Sequence, residues 1–435
     1  MKVIVLKFSV ILLAAALTLA SCGRKGCTDP MAINYDEKAK KEDNSCQYDF
    51  GGSSSNLVLV SGMISTNTTW SANKVYELAG KVVVESGVTL TIEPGTIIKG
   101  RQGSGTLASA LIVAQGAMID ACATAAAPII FTSELDNIQP GEITGTNLTE
   151  GDQGLWGGVI ILGNAPISAA DGDALSQIEG IPTSDTFGAF GGTDAADNSG
   201  CFSYVSIRHG GALIGAGNEI NGLTLGGVGT GTTISNVEVV ANLDDGVEFF
   251  GGTVDASNIL VGFQGDDGID IDMNYAGTVS NFLVVNGTNS DEALEIDGPE
   301  GTTYTNGMFT LMNGTCTKFG GGDAKGDFKS KAQGTIDNVE LGTAKIRASY
   351  QNACSEPKND AYTNLTDVSP KLTFTSSVFS SVSVYTASDD GAATPNQCTV
   401  PAVDQAAAEA VMTSGTAAGG PTAWGWTWMY TNNKL

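Results

Sequence analysis

Acid recurs in three short stretches of the chain: NLDDGVEFFGG at 242–252, GDDGIDIDMN at 265–274 and SDEALEIDG at 290–298. Each holds an adjacent pair, Asp244-Asp245, Asp266-Asp267 or Asp291-Glu292, and then a third acid, Glu248, Asp270 or Glu295. Such an oxygen-only set suits a hard cation. Calcium fits because it takes six to eight oxygen ligands in loose geometry, and no thiolate or imidazole cluster is present for zinc. Paired carboxylates are also what glycoside hydrolysis needs. A calcium-dependent lyase would need a base as well, and the candidates are Lys318, Lys325, Lys329 and Lys331 after the acids, with Arg208 and His209 before them. A third reading is turn chemistry, in which Asp-Asp-Gly forms solvated corners, glycine supplying positive φ, that also discourage edge pairing. A single histidine excludes a multi-histidine metal site, and no Gly-x-Ser-x-Gly elbow occurs. His209 alternates with Val205 and Ile207, which makes it a structural residue at a coil end.

The elements that must carry these acids are short β runs rich in Val, Ile and Thr and broken by Gly or Asn, from NLVLVSG at residue 56 onward. Asn236, Asn258 and Asn281 recur at spacings of 22 and 23 residues, in step with the acids, and Asn306 and Asn338 continue the series. A period of that length carrying several strands is one coil of a parallel β-helix. Within a coil Val247 and Phe249, Ile269 and Ile271, and Leu294 and Ile296 point inward, while Glu248, Asp270 and Glu295 between them point outward. Stacked in register these acids lie about 5 Å apart, where a like-charge pair costs roughly 1 kcal/mol in water and about 3 at an effective dielectric of 20. Full solvation, raised pKa values or a bound cation would each relieve that repulsion. The asparagines fall at corners as a structural amide ladder. Helical periodicity is confined to 401–415, and Trp424, Trp426 and Trp428 alternate as on one face of a strand. That row either stacks on sugar rings or, behind the helix, covers the open end of the solenoid.

Several segments resemble known families. LASC, ending at Cys22 after a short basic and apolar leader, looks like a bacterial lipoprotein cleavage box, which implies that Cys22 becomes the lipidated N-terminus and that the membrane is a partner through the lipid. The residues that follow, GRKG, lack the acidic run of a surface-export signal, leaving either face of the outer membrane open. GCTDPMAINYDEKAKKEDNSCQY at 26–48 resembles a Cys-bounded repeat of Bacteroidetes surface proteins. A segment so short and polar cannot bury a core, so a Cys27–Cys46 bridge would hold it, contributing about 3 kcal/mol. VYELAGKVVVESGVTLTIEPGTIIKG, GLWGGVIILGNAPI, GNEINGLTLGGVG and DDGVEFFGGTV are similar to a group of exported β-helix proteins frequent in marine Bacteroidetes. The similarity spans roughly 70–300 and implies the fold without supplying an activity. A more distant likeness, of architecture only, is to the pectate-lyase-like superfamily of polysaccharide lyases and hydrolases.

The formal charge is −26, and a surface of that sign repels nucleic acid and anionic headgroups while favouring cationic partners. Seven cysteines remain besides Cys22, so at least one of Cys122, Cys201, Cys316, Cys354 and Cys398 is free or paired between chains. The expectation is therefore an all-β protein: leader 1–21, anchor with disulfide module and linker 22–55, a right-handed parallel β-helix 56–395, and a helix-and-strand cap 396–435. The expected role is a non-enzymatic envelope lipoprotein binding glycan or a partner protein along an acidic, calcium-stabilised flank. A lyase or hydrolase of acidic polysaccharide, and a purely structural scaffold, are the alternatives.

Overall fold

The computed structural model describes residues 24–27, 35–36, 38–41 and 56–435, less 171, 173, 215–218, 353, 387–397, 413–414 and 416–423. There are two compact units, Met1–Ser55 and Asn56–Leu435. In the first, Lys25 forms a parallel bridge with Lys41, Arg24 pairs with Asp36 at 2.6 Å, and the disulfide-bonded Cys27 is buried. Cys22, Cys46 and the leader at 1–21 lie outside the described residues. Among the described residues no helix is long and apolar enough to cross a membrane.

The second unit is an all-β parallel β-helix whose chain winds through three stacked sheets. One stacks Thr89–Ile92, Met118–Cys122 and then the first halves of Gly200–Arg208, Thr233–Val240, Ala256–Gly262 and Thr278–Asn286. The second halves of those strands form the next sheet. The third stacks Val159–Leu162, Leu223–Gly226, Val247–Phe250, Ile269–Asp272, Leu294–Ile296 and Gly326–Phe328. Val247, Phe249, Ile269, Ile271, Leu294 and Ile296 are fully buried in one continuous core, as alternation requires of a strand facing a lumen.

Where the first sheet turns into the second, one residue per coil adopts a left-handed backbone: Asn236, Asn258, Asn281, Asn313 and Asn338, with φ between 53° and 56°. Asparagine tolerates that region better than other side chains. The amides also hydrogen-bond between coils, Asn258 donating to Asn236 at 3.3 Å and Asn338 to Asn313 at 2.8 Å. Asn306, expected as a rung, is not one. An insertion after Ile296 delays the next strand to Phe309–Lys318, and Asn313 takes the place. The Asp-Asp-Gly corners also differ from expectation, because Gly246 and Gly268 do not have positive φ. They are glycines because a Cβ would collide with the valines of the next coil, Val261 and Val284.

Among the described residues three α-helices follow or interrupt the strands: α1 (Ala361–Thr366), α2 (Ala402–Val411) and α3 (Trp428–Thr431). Helix α1 is missed by periodicity, being too short to show any. Asp360 starts it through a reciprocal capping box with Thr363. Helix α2 covers the last strand, Val378–Tyr385: the Gln405 amide accepts from the Val384 N–H at 2.8 Å and donates to the Val382 carbonyl at 2.9 Å. Disulfides join Cys122 to Cys201 and Cys354 to Cys398, leaving Cys316 as a buried thiol.

The tryptophans correct the sequence reading. Trp424 and Trp426 lie in a turn, and Trp428 begins α3, which Thr427 caps by accepting from the Tyr430 N–H at 3.2 Å. Capping overrides the apparent alternation. All three rings are buried, so none offers a face to a sugar. Trp424 and Trp428 pack not on an open end but on the flank of the coils, against Val240, Leu260, Phe263 and Val285.

Candidate functional site

The third sheet carries the acids. Its register places Glu248 opposite Asp270, Asp270 opposite Glu295, Glu295 opposite Asp327, and Asp327 opposite Lys345. One outward column thus runs Glu248, Asp270, Glu295, Asp327, Lys345. Two residues further along each strand Phe250 pairs with Asp272, and Asp297 follows on the next coil, its N–H bonding the Ile271 carbonyl at 2.7 Å.

Of the corner acids, Asp266 and Asp291 are exposed as the turn-chemistry reading expects, whereas Asp245 and Asp267 are buried. In the column Glu248 and Asp270 are not solvated either, at 4% and 7% exposed. The reason is a long excursion of the chain between 163 and 199. It brings Ile167, Ile178, Ile181 and Phe190 over the sheet, where they pack with Ile160, Ile220 and Phe250. Between this cover and the acid column lies a cleft of about 190 Å³, walled by Phe190, Phe250 and Met273 and carrying the carboxyls of Glu179, Glu248 and Asp272. A larger opening of about 470 Å³ lies at the first coil beside Trp70 and Tyr76, far along the solenoid from the acids.

The nine predicted acids divide by what they touch. Asp245 accepts the Asp267 N–H at 2.9 Å, and Asp267 accepts the Glu292 N–H at 2.7 Å. These corner carboxyls stitch one coil to the next. Glu292 also meets Lys345 at 2.6 Å, and Glu295 pairs with Lys329. Asp291 faces Lys325 at 3.7 Å. Two sets converge closely enough to share an ion: Asp244, Asp245 and Asp266, and more deeply Asp245, Glu248 and Asp270, whose oxygens lie within 4.8 Å of one another. Asp267, Asp291, Glu292 and Glu295 belong to neither set, and the last three stand against lysines instead.

Burial first, and then neighbouring acids, hold Asp245, Glu248, Asp270 and Asp272 well above the usual carboxyl range. The same causes lift Asp244 to about 7 and Asp267 to about 10. Glu179, from the covering side of the cleft, contributes to the field at Asp244 and at Glu248, and Glu219 adds to that at Asp244. Asp270 Oδ1 and Asn221 Oδ1 are buried with no hydrogen-bond partner.

The candidate bases do not gather here as free groups. His209 is fully buried, its Nδ1 against the Asp152 carbonyl at 2.8 Å and its ring edge-on to Trp428. Arg208 is buried beside Glu238 and donates to the Ile143 carbonyl at 2.7 Å. Residues missed in the sequence include Asp272, Asp327 and Lys345, which the alternation in IDIDMN, in GDFKSK and in AKIR could have revealed. Asn221, Glu179 and Glu219 reach the site through tertiary packing alone, for which local sequence carries no signal.

A family model described as a pectate-lyase-like beta helix domain matches residues 62–430. Among solved structures, the pectin methylesterase of Aspergillus niger aligns over 72% of this chain and 82% of its own, with 10% sequence identity and a TM-score of 0.26. No curated protein matches.

Proposed function

The chain belongs to the family of pectate-lyase-like β-helix domains, and on that fold we propose a non-enzymatic binding module of a lipid-anchored envelope protein. Its acidic face takes up a glycan or a segment of a partner protein that brings positive charge, and calcium stiffens the coils beneath. The observation that carries this reading is the cleft: three carboxyls, Glu179, Glu248 and Asp272, set among Phe190, Phe250 and Met273, with no lysine, arginine or histidine among the described residues of its walls. Apolar and aromatic walls with a few convergent polar groups are the usual makeup of a ligand site. An ammonium group brought among these carboxyls favours their charged form and pairs with it, whereas a bare uronate finds no cation here. Anchoring at Cys22 in the outer membrane is part of the proposal. Cys22→Ala should abolish labelling by radioactive palmitate and release the protein to the soluble fraction.

Binding is tested by calorimetry with three probes: a deacetylated chitin oligomer, a lysine-rich peptide and an oligogalacturonate. One of the first two should bind, and Glu179→Gln with Asp272→Asn should weaken it tenfold or more. Equal affinity for the oligogalacturonate would refute the reading.

A lyase or hydrolase of acidic polysaccharide is the second reading, favoured by Lys329 standing against Glu295 on the acid-bearing face. Burial pulls Lys329 down, but Asp297 and Glu295 outweigh it and hold the lysine charged, above its usual range. That is the wrong state for abstracting a proton. Incubation with polygalacturonate and alginate should accordingly give no new unsaturated or reducing ends.

A further inference from the structure

We infer that a single divalent cation of the calcium type is held between two adjacent coils by Asp245, Glu248 and Asp270, beneath the cleft. This deepens the calcium-stiffened reading above, on which it rests, and replaces a diffuse acidic flank with one site. The three side chains are 7%, 4% and 7% exposed, and an oxygen of each lies within 4.8 Å of the others. Three carboxyls buried that close together are either protonated or matched by a counter-charge, and the neighbouring cations are spent elsewhere. Lys329 goes to Glu295, Lys345 to Glu292 and Asp327, Lys325 to Asp291 and Glu292, and Arg208 to Glu238. Among the described residues no lysine or arginine forms an ion pair with any of the three.

The unpaired oxygen supplies the independent sign. Asp270 Oδ1 is buried and meets no donor, whereas buried polar atoms ordinarily find a partner. Asp245 spends Oδ1 on the Asp267 N–H, and Glu248 spends Oε2 on the Asn221 amide. Each therefore keeps a second oxygen. The Asn221 amide, whose own oxygen is also buried and unpartnered, stands beside Glu248 as a neutral ligand to hand. Carboxylates with an amide, and no nitrogen or sulfur donor, are a calcium set more than a zinc set. Because Glu248 and Asp270 pair across coils, the ion joins successive turns of the solenoid.

The test uses the full chain stripped with EDTA, titrated with calcium, magnesium and zinc chloride by calorimetry, with each sample then melted. One calcium per chain should bind, in preference to the other two metals, and raise the melting temperature by several degrees. Asp270→Asn should bind calcium at least tenfold more weakly and lose the calcium-dependent rise. Asp120→Asn, an exposed acid on another sheet, should keep both. Where Asp270→Asn fails to fold, Glu248→Gln serves in its place. The inference is overturned by an absence of calcium heat with identical melting in chelator, by undiminished binding in the site variants, or by several weak equivalents lost alike in every variant. Glu179→Gln measured alongside separates the two proposals: loss of cleft binding with the calcium response intact leaves this site standing.

Discussion

Carboxyls that look alike in the sequence are set apart by what sits one coil away. Asp245 and Asp267 each accept an N–H from the following coil, while Glu292 faces Lys345. Even so, burial lifts Glu292 to about 7, against the pull of that lysine. A carboxyl raised in the folded state holds its proton more tightly there than in the unfolded chain, so its share of stability is present at low pH and is lost as pH rises from about 4.5 to about 7. Glu292→Gln should therefore flatten the fall in stability across that window, read from urea midpoints at successive pH values. The asparagine corners give a second expectation. Asn258→Ala puts a less tolerant residue at φ 56° and removes the bond to Asn236, costing about 1–2 kcal/mol by denaturant titration. Asn258→Gly should recover part of that. The acid column and the asparagine ladder were legible because both repeat with the coil. Lys329, which neutralises Glu295, was named from the sequence only as a candidate base, and Lys345, which meets Glu292, was not named at all, since pairing depends on register one or two coils on.

At the scale of elements, the C-terminal turn and α3 are the clearest departure from what alternation implies. Glu238 explains their position. It is fully buried, and its two oxygens accept the N–H groups of Trp428 and Met429, each at 2.9 Å. A carboxylate at the N-terminus of a helix satisfies donors that have no partner within it. Trp428→Ala should cost about 3–5 kcal/mol, the usual range for emptying a buried aromatic site, and should raise binding of a hydrophobic dye at the exposed flank. Full stability in this variant would mean that the segment is an appendage. Nothing in AWGWTWMY alone could show this, because the partner lies 190 residues away. Helix α2, by contrast, was readable from its own period, and it covers the final strand.

For the whole molecule, the repeat period was enough to specify a parallel β-helix, since stacked coils impose one spacing on core, corner and flank together. The excursion over the acid column was not readable, because it follows no repeat. Two bridges tie the solenoid at distinct places. Cys122–Cys201 spans 79 residues and links neighbouring strands of one sheet, and Cys354–Cys398 spans 44 near the last coils. Loop-closure entropy assigns each about 4 kcal/mol. A reductant should lower the melting temperature measurably, and the Cys122→Ser, Cys201→Ser double variant should reproduce part of the drop. The flank that receives Trp428 has a consequence for synthesis. Coils spanning Val240 to Val285 are complete long before residues 424–435 leave the ribosome, and until then their apolar strip is uncovered. A chain that stops short of residue 424 keeps that strip bare, a ready mark for chaperones and proteases.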